Sequence, residues 1–161
     1  MLFGALSFVA TSLFAVLSTS SPVPSLQTRA GGPLAKPIPA ECSVTNPLAD
    51  RRSDCWQPKA STRPNQIYAY YLPMSTFEYR NRTDIWTQCL EQCYGYGYTG
   101  DCKAAFMAEN VPSAPVYTAP GGDPSIACLM YNRPLTRGDF ERPTTRKQYV
   151  NAEVGGISCP A

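Results

Sequence analysis

The sequence predicts an α+β domain in which one helix is disulfide-linked to a small antiparallel β-sheet. Three observations predict it. Seven cysteines follow an apolar N-terminal run, the mark of a disulfide framework built in an oxidising compartment. Cys89 and Cys93 stand four apart on an apolar stripe at helical spacing. Two later segments alternate with period two and carry one cysteine each, Cys102 and Cys128.

The helix is expected to start near residues 81–84. Asn81, Thr83 or Asp84 offers a side-chain oxygen to the orphan amides of a first turn. Ile85, Trp86, Cys89, Leu90 and Cys93 then share one stripe, and Gly95 is a natural stop. Residues four apart on a helix hold their Cβ atoms about 5–6 Å apart, whereas a disulfide wants about 3.5–4.5 Å. Cys89 and Cys93 therefore reach for partners on whatever the helix packs against.

Residues 101–109 read as a strand. Cys102, Ala104, Phe106 and Ala108 take one face; Lys103, Ala105, Met107 and Glu109 take the other. Residues 126–131 read the same way, with Ile126, Cys128 and Met130 on one face. Two helix cysteines and one on each strand describe a helix stapled to a sheet, with Cys93–Cys102 and Cys89–Cys128 as the expected pairs. Loop-closure entropy makes the short loop worth about 2.7 kcal/mol and the long one about 4 kcal/mol.

These residues carry a resemblance. Cys89 and Cys93 with three residues between, Cys102 followed by Lys103-Ala104-Ala105-Phe106, and Cys128-Leu129-Met130-Tyr131 resemble the core of a PAN/apple module. In that family a helix is cross-linked by two disulfides to an antiparallel sheet, and a third bridge often ties the module's ends. The resemblance implies a bond from Cys159 to Cys55 or Cys42. It covers residues 67–159, and the whole is similar to small secreted cysteine-rich proteins of fungal type. The family's modules mediate protein–protein or protein–carbohydrate contacts. The resemblance therefore implies a wall polysaccharide, a glycan or an extracellular protein as partner. The excursion at 111–125 and the extra N-terminal cysteine depart from a minimal module.

Taken in order, residues 1–20 read as a signal peptide. The apolar run to Leu17 is too short for a bilayer span, which needs about 20 apolar residues, and it ends in Ser18-Thr19-Ser20-Ser21. Residues 21–40, rich in Pro, Ser and Gly, read as a disordered arm or pro-segment. Leu26-Gln27-Thr28-Arg29 is either a processing site or a linker with a lone arginine. Residues 41–66 read as a disulfide-pinned N-terminal extension containing Cys42, Cys55 and Trp56, with Arg51-Arg52 as solvated charge, an anion contact or a processing site. Residues 67–161 are expected, from the resemblance, to be the PAN/apple-like module. Within it, 67–72 is an aromatic, β-branched strand ended by Pro73. Asn81-Arg82-Thr83 is an acceptor sequon for N-glycosylation, in competition with a capping role for Asn81. Residues 111–125 hold four prolines and Gly121-Gly122, and read as a long loop outside regular structure. Residues 149–154 are expected to close the sheet. Seven is an odd number of cysteines, and Cys42 or Cys55 is the expected odd one.

Composition excludes several functions. The chain has no histidine, which removes Ser-His and Cys-His nucleophile pairs and histidine-ligated metals. No Gly-rich phosphate loop is present. Net charge is +2, too mild for nucleic acid or an anionic membrane. No cofactor or metal is expected, and no membrane span. Carboxylate-only catalysis by Glu78, Asp84, Glu91, Asp101 or Glu109 has no motif with a mechanism behind it, so the expectation is a non-enzyme.

The sharpest binding signal is Tyr94-Gly95-Tyr96-Gly97-Tyr98, aromatics alternating with glycines between helix and strand. Such rings stack on a sugar or clamp a protein; the other reading packs them on the sheet edge while the glycines serve the turn. Tyr117, in the middle of the long loop, is the fourth candidate, its other reading a hydrophobic plug that packs the loop down. Tyr68, Tyr70 and Tyr71 carry the same two readings, weighted further toward core. The expected function is a secreted, non-enzymatic binding module for an extracellular carbohydrate or protein. The alternatives are a secreted effector-type or cell-wall structural protein, then a small carboxylate-dependent hydrolase.

Overall fold

The run Ala104-Ala105-Phe106-Met107-Ala108 has no polar side chain, and all five residues are fully buried. A strand with no solvent face must lie centrally between two covering layers. The computed structural model, which describes residues 33–49, 55–115, 120–145 and 147–160, has that architecture. In chain order the elements are β1 (Ser43–Thr45), β2 (Gln57–Pro58), β3 (Gln66–Pro73), α1 (Arg82–Tyr94), β4 (Ala104–Pro112), β5 (Pro124–Tyr131), β6 (Phe140–Glu141) and β7 (Val150–Ser158). Short 3₁₀ turns lie at Ala60–Asn65, Met74–Glu78 and Arg137–Asp139. The main sheet has five antiparallel strands in the order β1-β7-β4-β5-β3, and β2 pairs with β6 in a two-stranded sheet. The expected signal peptide, Arg29, Arg51, Arg52 and Tyr117 lie outside the described residues.

One face of the sheet carries the helix. Asn81 is the N-cap: its Oδ1 accepts from the Asp84 amide at 2.8 Å, satisfying one orphan donor. Ile85, Cys89 and Cys93 are buried against Ala105, Met107, Ile126, Cys128 and Met130 of the sheet. The expected staples form. Cys89 bonds Cys128 of β5 and Cys93 bonds Cys102, with Cα separations of 5.9 and 5.3 Å. The helix sits close where β7 presents Gly155, which has no side chain. A Cβ on Gly155 would collide with Leu90 Cδ2 and stand 3.1 Å from Val44 Cγ1 and 3.2 Å from Trp86 Cζ2.

The opposite face carries a second core. Ala104, Phe106 and Ala108 of β4, Ala127, Leu129 and Tyr131 of β5 and Val154 of β7 are covered by Leu48, Leu135 and Phe140, with Trp56 and Tyr149 packed beside them. Phe140 stacks on Phe106 at 5.6 Å between ring centres. The cover is held by Arg133, whose guanidinium donates to both carboxylate oxygens of Asp139, at 2.6 and 3.1 Å. That pairing holds the Asp139 carboxyl well below the usual carboxylate range.

Several expectations are corrected. Cys102 does not share a face with Ala104 and Phe106: the ladder starts at Ala104, and Cys102 turns to the helix side, where Cys93 lies. Cys159 bonds Cys42, not Cys55. The reason is register. Ser43 pairs with Ser158 and Val44 with Ile157, so the next antiparallel pair outward is Cys42 and Cys159, with Cα atoms 4.1 Å apart. Half-buried Cys55 instead precedes β2. Residues 41–66 contribute β1 to the main sheet, so no packing boundary falls at residue 67. The segment from residue 33, expected within the arm, runs beside α1. The Lys36 amide donates to Glu91 O at 3.1 Å, Ile38 packs on the helix-side core, and a Cβ on Gly95 would collide with Leu34 O. The long loop is shorter than expected. Val111 pairs with Ser125 and Pro112 with Pro124, past an irregularity after Ala108. The Ser113 amide donates to Asp123 O at 2.9 Å, which continues the hairpin beyond Pro112 and Pro124, neither of which has an amide hydrogen.

The close helix approach gives a direct test. Gly155→Ala is expected to cost about 1–3 kcal/mol by overpacking under Leu90, measured by urea unfolding. Gly138→Ala, where the nearest heavy atom to the new Cβ is Thr136 Oγ1 at 3.7 Å, is expected to stay within about 0.5 kcal/mol of wild type.

Candidate functional site

The tyrosine-glycine segment begins where α1 ends, and its course is set by the Cys93–Cys102 bond. The chain must leave the helix and return to it between two cysteines only nine positions apart. Gly97 takes φ +59°, a left-handed conformation that favours glycine, and a Cβ there would collide with Asp101 Oδ2. Asp101 braces the turn: its Oδ2 accepts from the Tyr98 amide at 2.8 Å, and its own amide donates to Tyr98 O at 3.0 Å.

This turn separates the three tyrosines. Tyr94 and Tyr96 are half-buried and pack on the helix-side core. The Tyr96 ring stands 6.1 Å from Tyr68 and its hydroxyl donates to Ile67 O at 3.4 Å, which fastens the loop to edge strand β3. Tyr68 and Tyr70 continue the line at 6.4 Å. Successive rings tilt by 46° and 48°, so they form no flat stacking platform. Burial pushes the Tyr70 phenol above the ordinary tyrosine range. Tyr98 alone of the three stands out, at 86% exposure. The sequence signal was the alternation of tyrosine and glycine. The structure assigns Tyr94 and Tyr96 to packing and leaves Tyr98 as an exposed ring.

A second region gathers at the loop end of the β4–β5 hairpin. An open cleft of about 230 Å³ is lined by Asn110, Pro112, Gly122, Pro124, Lys147 and Gln148. One wall is the hairpin that the proline-rich sequence singled out. The other arrives 35 residues after Pro112, brought alongside because Glu109 pairs with Val150. Sequence reasoning missed Asn110, Lys147 and Gln148, since none belongs to a motif and only the strand order makes them neighbours. The backbone here is strained. Asn110, Tyr149 and Asn151 all take positive φ, between 53° and 54°, and they are the only such non-glycine residues among those described. Left-handed non-glycine residues cost free energy and tend to gather where a surface has work to do.

The charge beneath this strained end is compensated. Arg82, at the start of α1, donates through Nε to Glu109 (3.1 Å), through NH1 to Glu153 (2.6 Å) and through NH2 to Asn151 O (2.6 Å). Asn151 Nδ2 donates to the other Glu109 oxygen at 3.0 Å. By contrast, the side chains of Asn110, Lys147 and Gln148 make no hydrogen bond or ion pair among the described residues. Three unpartnered polar groups therefore meet around one depression.

Among the described residues no group of three acidic, histidine or cysteine side chains stands together to hold a metal, and no helix is long and apolar enough to cross a membrane. Asn81 is exposed; its Oδ1 caps the helix, which leaves Nδ2, the atom a glycan joins, outside the cap. Capping and glycosylation therefore use different atoms and do not compete. Compared with known proteins, the chain matches no protein-family model, no curated protein and no solved structure.

The two tyrosines at opposite ends of the turn make a clean pair of variants. Tyr96→Ala removes a ring packed on Tyr68 and is expected to lower stability by about 1–3 kcal/mol. Tyr98→Ala is expected to change it by less than about 0.5 kcal/mol. Thermal melts of both variants check the assignment.

Proposed function

We propose that the protein is a secreted binding module that catalyses no reaction and takes an extracellular glycan as its ligand. The observation that carries the reading is the convergence of Asn110, Lys147 and Gln148, all without partners, on a cleft in a cross-linked scaffold. Two amides and an ammonium beside two proline rings suit a ligand with hydroxyl or carbonyl groups on an apolar frame. At about 230 Å³ the cleft lies below the roughly 300–1,000 Å³ of drug-sized pockets, which matches one sugar ring of a longer chain.

Secretion is supported by the apolar leader at residues 1–17 and by three disulfides, which persist in oxidising compartments. A PAN/apple-like module is the architecture we propose, supported by the two bonds between helix and sheet. The absence of histidine, and the commitment of Glu109 and Glu153 to Arg82, support a module without turnover.

The test is an amide-resolved NMR titration with soluble chitin, β-glucan, xylan and pectin fragments. The reading predicts that at least one fragment shifts the amides of Asn110, Lys147 and Gln148 together while Tyr98 stays still. Shifts confined to the Tyr98 turn would move the site there. No shift with any fragment would overturn the glycan reading in favour of a protein ligand.

A further inference from the structure

Resting on the glycan reading above, we propose that the cleft at the loop end of the β4–β5 hairpin recognises the carboxylate of an acidic sugar. Lys147 is the charge-bearing contact, and Asn110 and Gln148 supply the amides. Residues 133–147 carry five basic side chains, Arg133, Arg137, Arg142, Arg146 and Lys147, against two acidic ones, Asp139 and Glu141. Arg133 is engaged by Asp139, and Arg142 lies 5.5 Å over the Trp56 ring. Lys147 has no such engagement among the described residues, and it lines the cleft. An ammonium with no carboxylate of its own, in a concave site, is most strongly satisfied by an anion from outside.

The neighbouring acids do not fill that role. Glu109 precedes Asn110, but Arg82 and Asn151 occupy both of its oxygens. Asp123 follows Gly122 and is exposed, yet it does not line the cleft. The remaining lining chemistry selects a sugar over a peptide. Pro112 and Pro124, paired across the hairpin, supply compact apolar rings for van der Waals contact with the C–H face of a pyranose. A peptide would gain most by adding a strand to an open edge. Here the β7-facing edge of β4 ends its pairing at Glu109; Asn110 is left-handed, and Pro112 has no amide hydrogen to extend a ladder. Amide side chains then serve the ring hydroxyls, while Lys147 takes the carboxylate.

The probe is trigalacturonate, with its fully methyl-esterified form as the neutral control, measured by calorimetry on the disulfide-bonded protein and on Lys147→Gln. Lys147 is exposed, so the substitution is expected to leave the fold in place, which an unchanged melting temperature of the variant checks. Binding of the acid that falls about tenfold or more on esterification, and about tenfold or more in Lys147→Gln, is the expected result. It should also weaken as sodium chloride rises from 20 to 300 mM, concentrations chosen so that the Debye length shrinks from roughly 20 Å to below 10 Å. Equal binding of acid and ester, unchanged in Lys147→Gln, would overturn the carboxylate inference while leaving the glycan reading standing. Tighter binding of a peptide bearing a free carboxylate than of any saccharide would overturn both.

Discussion

The structure depends on two buried covalent bonds, Cys89–Cys128 and Cys93–Cys102, that hold one face of α1 against β5 and the entry to β4. All four sulfur-bearing residues are at most 3% exposed. A helix of 13 residues is marginal in water by itself, and this one keeps its place by packing and cross-linking. Its position determines what surrounds it. It must pass over Gly155, it receives the 33–39 segment along its C-terminal end, and it delivers the tyrosine turn to β3. The bond between Cys42 and Cys159 acts elsewhere: it clamps the outermost strand pair and closes a loop of 117 residues, worth about 5 kcal/mol of chain entropy.

Much of the helix side was legible in the sequence, because it is written in periodic patterns. Cys89 and Cys93 four apart define a face, and Ile126, Cys128 and Met130 define the opposing one. Those two patterns alone constrain the pairing. The far side was not legible. Leu48, Trp56, Leu135, Phe140 and Tyr149 come from short, aperiodic stretches, and only the fold gathers them over Phe106. The alternation in β4 did not say which face met the helix, since both faces are apolar. Cys102 looked like a continuation of the strand, but its bond to Cys93 draws it out of the pattern. The choice between Cys42 and Cys55 turned on a three-residue strand, too short for any periodicity to announce.

The candidate site shows the same division. The tyrosine-glycine alternation was conspicuous, yet a tight turn closed by a disulfide between cysteines nine positions apart sends neighbouring rings to different places. Tyr96 becomes a fastening between loop and edge strand, and Tyr98 remains in solvent. The cleft had only half a signal. Proline and glycine marked the hairpin, while Lys147 and Gln148 sit in a charged stretch that reads as ordinary surface. Their meaning comes from the pairing of Glu109 with Val150, which sets an unpartnered ammonium and amide against Asn110. Arg82 beneath them shows how the fold treats charge it intends to keep: both nearby carboxylates are answered. The polar groups lining the cleft are not.

The cross-linking pattern underlies every other element of this account, and it is tested most directly by peptide mapping of the non-reduced protein with mass spectrometry. The account predicts three linked peptides, joining Cys42 to Cys159, Cys89 to Cys128 and Cys93 to Cys102. A peptide joining Cys55 to Cys159, or one joining Cys89 to Cys102, would contradict the strand register at β1 and β7 or the seat of the helix, and with it the geometry of the cleft.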